Sequence, residues 1–387
     1  MNSLCVIAGV GAQTSLGATA PETAFVYRTG HIGMRESAIL DSIENKVTLC
    51  SVPTLDPWLS GDARLIQLAL PALEEVMLNL GEHARTLRIK LYLCVDEWLG
   101  APDASGLSAA QRVASSLLFR ARKLAHENVT IETRIEGPAA PGLFLEQAAS
   151  LITMGQADVI IVGAVHSDYD PVVIRTLEER GRLFSSDHLD GMIGGEGAAF
   201  LLLCSERLAR KLDLTAHVAL HSVGVAYERA TPDNDESAYE AAGLTVAARK
   251  AMEPLLANQL KCGWLLGDAT YEMREIYEWQ ALTVRSQRAF ELPQQGDFPA
   301  HRLGHMGATA LPLMLVLVFE AYRRGYAPHQ RVMLYAGSDA GARTVLIAGQ
   351  TSDSTRALGE DAPQSMRPAS GANPAYPQSS GPAGRVR

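Results

Sequence analysis

The sequence predicts a layered α/β fold built from two similar halves. Two observations carry this. Short, fully apolar runs alternate with longer stretches of helical spacing, and the order strand, helix, strand, helix, strand, strand occurs twice along the chain. Strands that alternate with helices imply parallel-rich sheets covered on both faces, so two such units stack as an α-β-α-β-α sandwich.

In the first half, Leu4–Gly11 is a buried strand ending in glycines, and Leu65–Leu80 carries apolar residues at helical spacing. Ile89–Val95 is a strand, Ala109–His126 a helix with a basic outer face, and Val129–Arg134 an alternating strand. Leu143–Met154 is a helix stopped by Gly155, followed by buried strands at Val159–Val165 and Gly197–Cys204. The second half reads Ala216–Ala226 (strand), Leu244–Leu256 (helix), Gly263–Leu266 (strand) and Arg274–Arg288 (helix). Gly307–Arg323 is an apolar helix, and Arg331–Ala336 and Thr344–Ala348 are strands, whereas Gln287–Pro299 offers no clear strand. These elements place the halves at residues 1–210 and 211–349. Residues 350–387 are rich in Ser, Pro, Gly and Ala and poor in large apolar side chains, the composition of a disordered tail.

At 387 residues, 47% of them hydrophobic, the chain can bury a large core. Its net charge of −9 gives no broad attraction to nucleic acid or anionic membranes. The five cysteines, Cys5, Cys50, Cys94, Cys204 and Cys262, are scattered through apolar runs without metal-ligand spacing, which fits reduced, buried thiols. The N-terminus has no basic leader, and the apolar run from Met306 to Phe319 is too short to span a bilayer, so a cytoplasmic location is expected. Gly9-x-Gly11 after a strand could open a dinucleotide site, but Thr14 stands where the third glycine is needed.

Four segments resemble the β-ketoacyl synthases of the thiolase superfamily. Val6–Gly17 looks like the family's opening strand and turn, and Gln156–Ala164 like the strand after its nucleophile helix. Gly194–Leu203 resembles the "GEGAA" turn and strand, and Arg302–Ala310 the "GHxxGAAG" motif that brings a catalytic histidine to a helix. Their order and spacing over most of the chain imply the thiolase-like fold.

The same resemblance sets out the chemistry. A condensing enzyme takes an acyl group onto a thiolate at a helix N-terminus, where the dipole lowers its pKa, and holds the thioester oxygen with backbone N–H groups. Counting back from Ala157-Asp158-Val159 places the nucleophile within a residue or so of Pro138, beside Ala139, and Gly137–Gly142 contains no Cys, Ser or Thr. Proline also brings no N–H to an oxyanion hole. Asp268 replaces the first family histidine, as a turn or cap residue or as a base in some other reaction. His305 survives, either as a pocket base or donor or as a structural histidine; Ala300 replaces the family lysine. The i, i+4 pair His301 and His305 has no evident third ligand, so no metal site is expected. Glu196, Gly304 and Gly337 match fold-supporting positions, and the final loop, Ala336–Arg343, lacks the gating aromatic. Its Asp339 and Arg343 either pair with each other or face solvent.

The resemblance therefore implies a catalytically degenerate protein with no cofactor, acting as an adaptor, chaperone or scaffold. Thr54–Trp58 and Leu68–Glu75 resemble ketosynthase-like proteins encoded near type VI secretion effectors and their tip proteins, which suggests a role in effector loading. Another reading is a chain-length-factor-like partner of an active ketosynthase, with affinity for acyl carrier protein. A third is an acyltransferase with an altered site, which requires His305 and Asp268 within hydrogen-bond reach. Val129–Arg134 matches the family's pairing strand and implies a homodimer or a heterodimer with a related chain.

Overall fold

The computed structural model describes residues 3–125, 128–185, 188–232, 234, 239–291, 296–352 and 354. The strands are β1 (Cys5–Thr14), β2 (Arg35–Leu40), β3 (Lys46–Leu49), β4 (Ile89–Cys94), β5 (Val129–Arg134), β6 (Val159–Ser167), β7 (Glu196–Cys204), β8 (Val218–Tyr227), β9 (Trp264–Gly267), β10 (Gly296–Asp297), β11 (Arg331–Gly337) and β12 (Ala342–Gln350). The helices are α1 (Ala20–Arg28), α2 (Gly61–Leu78), α3 (Ala109–Ala125), α4 (Ala140–Thr153), α5 (Pro171–Glu179), α6 (Glu206–Lys211), α7 (Ala242–Ala257), α8 (Met273–Arg285), α9 (Ala300–Leu303) and α10 (Ala310–Arg323).

Ten strands join in the order β10-β9-β11-β12-β8-β1-β7-β6-β4-β5. This is one five-stranded pattern used twice. β4 lies parallel between β5 and β6, β7 runs antiparallel to β6, and β1 closes that half; β9, β10, β11, β12 and β8 repeat the arrangement. The halves meet where Cys5–Ile7 pairs antiparallel with Val218–Leu220.

The helices make the layers. α2 and α3 cover the outer face of the first half, and α7 and α8 that of the second. α4 and α10 lie between, and their side chains share one core with residues from strands of both halves. Every residue from Ala310 to Tyr322 is buried, as a central helix without a solvent face requires. α4 is pressed onto the other half, because a Cβ on Gly142 would come within 2.0 Å of Thr344. Gly11 has a similar reason: a Cβ there would lie 2.1 Å from the Ala72 carbonyl oxygen of α2. The Gly9-x-Gly11 pair thus belongs to a strand under a helix. Pro71 inside α2 removes the N–H that the Gln67 carbonyl would accept. With its amide turned to satisfy both ends, Gln13 of β1 donates to Gln67 O at 3.2 Å and Leu68 O at 3.0 Å, which compensates the loss.

Several expectations are corrected. The stretch Gln287–Pro299 does contain a strand, the two-residue β10, too short to leave an apolar signature. α4 starts at Ala140, three residues before the apolar run, because Pro138 and Pro141 suit a helix start. Ordered chain also continues past Gly349: Gln350 N donates to Gln330 O at 2.9 Å, and buried Ser354 lies 3.0 Å from His217 Nδ1. The rest of the expected tail, residues 355–387, lies outside the described residues. Among the described residues, no helix is long and apolar enough to cross a membrane.

Candidate functional site

A cavity of about 430 Å³ opens where the carboxyl ends of β4, β6, β9 and β11 converge near the start of α10. In open α/β sheets this is the end at which ligands bind. Asp96 and Glu97 follow β4, Asp168 follows β6, Asp268 follows β9, and His305 stands just before α10; His166 is the second-to-last residue of β6.

Pro138 lines the cavity from the short 3₁₀ turn Gly137–Ala139 that leads into α4. The amides around it all have protein partners. Ala139 N donates to Ser338 Oγ at 3.0 Å, Ser338 N to Ala342 O at 2.8 Å, and Gly337 N to Asp268 Oδ2 at 2.7 Å. Ser338 Oγ in turn donates to Glu136 O, and Thr344 Oγ1 to Ala139 O at 3.0 Å. The loop of the second half therefore seals the start of α4.

All five cysteines are free and buried, and none lines the cavity. Burial raises each thiol; Cys5, Cys50, Cys204 and Cys262 are pushed up to about 12, and Cys94 rises well above its ordinary value. These thiols stay protonated and inert.

His305 takes part in a polar chain. Its Nδ1 lies 3.0 Å from Asp168 Oδ2, which also accepts Gly195 N–H at 3.1 Å. His166 Nε2 is 3.0 Å from the same oxygen but off hydrogen-bond alignment, and its Nδ1 is 2.6 Å from Asp96 Oδ2. Asp96 Oδ1 accepts Ala308 N–H at 2.8 Å, which ties the chain to the start of α10. Burial opposes charge on Asp168, yet the two imidazoles outweigh it and hold the carboxyl far below its usual range. Burial likewise lowers both histidines, but the carboxylates beside them raise them overall.

The remaining predicted residues sort as follows. Asp268 is no local cap: it crosses to the end of β11, and burial, with Glu278 nearby, pushes it up to about 7 against the Gly337 N–H. Asp268 and His305 line the same cavity, but among the described residues no hydrogen bond joins them. Glu196 is fully buried and bidentate to Arg64 at 2.6 and 2.7 Å; it also accepts Val52 N–H and Ser167 Oγ–H. Gly304 has φ 74°, and a Cβ there would lie 2.7 Å from Gly194 O. Ala300 and Gly337 line the cavity. His301 Nε2 lies 3.1 Å from Thr270 O, so it does not join His305. Asp339 and Arg343 do not pair with each other: Asp339 binds Arg182 at 2.6 Å and Arg343 binds buried Glu278 at 2.7 Å.

Sequence reasoning missed Asp96, Glu97, His166 and Asp168. Their signal is positional: polar residues placed at the carboxyl ends of two adjacent parallel strands with apolar interiors, paired from Ile89↔Val159 to Cys94↔Ala164. Glu97 is pushed up to about 7 by burial and Glu275 to about 8, so the cavity wall holds three carboxyls that titrate near neutrality.

Comparison with known proteins agrees with this architecture. The description "Beta-ketoacyl synthase, N-terminal domain" matches residues 139–209. A comparison with curated protein sequences gives no match. Similar solved structures include a type II PKS acyl-carrier protein in complex with its ketosynthase, at TM-score 0.72 and 15% identity, covering 90% of this chain and 99% of that one. The ishigamide ketosynthase/chain length factor gives 0.72 and 20%, covering 90% and 99%. A β-ketoacyl synthase from Burkholderia phymatum STM815 gives 0.69 and 16%, covering 90% and 100%. The duplicated sheet, the two central helices and these likenesses establish that the chain has the thiolase-like fold of the ketosynthases.

Proposed function

We propose that this chain is a non-condensing ketosynthase-fold protein that works by association, as an adaptor or scaffold. The observation that carries the reading is Pro138 at the start of α4. It offers neither a nucleophile nor an N–H, and the neighbouring amides at Ala139, Gly337 and Ser338 are already committed to protein partners. Thioester chemistry needs both a thiolate and free oxyanion donors. Pro138 and Ala139 hold the degenerate nucleophile position in this reading, and Glu196, Gly304 and Gly337 support the fold around it.

The favoured partner is a secretion effector or its tip protein, on the resemblance of Thr54–Trp58 and Leu68–Glu75 to type VI-associated proteins. β5 lies at one edge of the sheet and offers a pairing edge for a second copy or a related chain. The likeness to a ketosynthase/chain length factor structure favours a second reading, a non-catalytic subunit that pairs with an active synthase and meets acyl carrier protein.

Purifying the tagged full-length chain from its native cell and identifying what co-purifies tests this. An effector or tip protein supports the adaptor role, and a synthase with carrier protein supports the second reading. A chain that recovers no partner and turns over an acyl thioester overturns both.

A further inference from the structure

His166, Asp168 and His305 each offer one ligand atom, and these atoms all lie within 4.8 Å of one another. We infer that His166 Nε2, an Asp168 carboxylate oxygen and His305 Nδ1 form a divalent transition-metal site, with zinc the ion best suited to it. Two imidazole nitrogens with one carboxylate match zinc or a related metal and not magnesium or calcium, which take oxygen ligands. The cavity beside the cluster leaves room for a further ligand, the arrangement of an open metal site.

The surroundings are built for ligation. Asp96 Oδ2 holds His166 Nδ1 at 2.6 Å, and Asp96 is itself fixed by Ala308 N–H, so in the neutral ring Nδ1 donates to Asp96 and the Nε2 lone pair faces the cluster. This is the carboxylate–histidine–metal arrangement that orients a ligand from behind. His166 is almost fully buried, and its Nε2 faces Asp168 Oδ2 at 3.0 Å without hydrogen-bond alignment, a contact that ligation of both atoms to one ion would replace. Gly195 N–H steadies Asp168 at 3.1 Å. Gly307 leaves room for the His166–Asp96 pair behind the ligand, since a Cβ there would come within 2.1 Å of His166 Nδ1 and 2.4 Å of Asp96 Oδ1.

Tetrahedral zinc sets its ligands about 3.4 Å apart. Two of the contacts are already 3.0 Å. The remaining adjustment falls to His305, whose side chain is 25% exposed and lines the cavity. The site is independent of the adaptor reading: metal binding can fail while partner capture succeeds, and the reverse.

The test strips the full-length protein with a chelator, dialyses it against Zn(II), and counts retained metal by mass spectrometry. One ion per chain is expected, with binding weakened at least roughly ten-fold in His305→Ala and roughly 10–100-fold in Asp96→Asn, which leaves all three ligands in place. Zn(II) should also raise the thermal midpoint of the wild type, and His301→Ala, which alters a ring facing Thr270 O, should leave that rise unchanged. The wild-type rise serves as the readout if His305→Ala fails to fold. Absence of retained zinc and of any rise, or equal binding by the wild type and folded His305→Ala, overturns the site.

Discussion

The two halves place a central helix at the same point of the same pattern, and the two helix starts have diverged. α4 follows β5 through the 3₁₀ turn Gly137–Ala139, and α10 follows β10 through α9 and the 3₁₀ turn Gly307–Thr309. The first start is sealed: Pro138 has no N–H, and Ser338 takes the amide of Ala139. The second is polar and open to the cavity, with Asp96 on the amide of Ala308 and His305 beside Asp168. Both helices remain deeply packed. Packing and chemistry are therefore separable here: the fold constrains helix burial in both halves, while the groups at a helix start change without disturbing it.

The largest expected effect strikes the open start. Gly307 has φ 43°, and Gly307→Ala would drive a Cβ into His166 and Asp96. Backbone strain and overpacking together should cost about 3 kcal/mol, read as a loss of denaturant midpoint. An unchanged midpoint would break the claim that this start is tightly organised.

Asp268, between the two starts, should give a smaller, pH-dependent effect. Its carboxyl is raised from 3.8 to about 7, so the folded state holds the proton more tightly than the unfolded chain. Stability from this group is fully present below pH 3.8 and is lost as pH rises toward about 7. Asp268→Asn should therefore match the wild type near pH 4 and exceed it by about 2 kcal/mol at pH 8, after allowance for exposure to the cavity. Urea unfolding at both pH values checks this; a constant difference would contradict it.

The smallest effect belongs to the sealed start. Ser338→Ala releases the Ala139 N–H and the Glu136 carbonyl, and should cost about 1 kcal/mol. Hydrogen exchange at the Ala139 amide should quicken while that at Ala308 stays unchanged, which sharpens the contrast between the two starts.

The fold was legible in the sequence because its strands are buried on both faces, leaving continuous apolar runs such as Val159–Val165 and Gly197–Cys204. The hairpin of β2 and β3, α1 and α5 were not legible, since each is short and half-exposed and leaves no extended apolar run. β10 is too short for any pattern. For the site, His305 stood out through its motif, but its partners did not. Asp96, His166 and Asp168 are far from it in sequence and meet it only through strand order. The reverse holds for His301, whose proximity to His305 in sequence carries no shared ligand point in space.

The most direct measurement is intact-mass spectrometry of the full-length protein after incubation with acyl-carrier and acyl-coenzyme thioesters. An unchanged mass is predicted, because Gly137–Gly142 holds no acceptor and the buried thiols stay protonated. A stoichiometric acyl adduct on any residue at the start of α4 would contradict it.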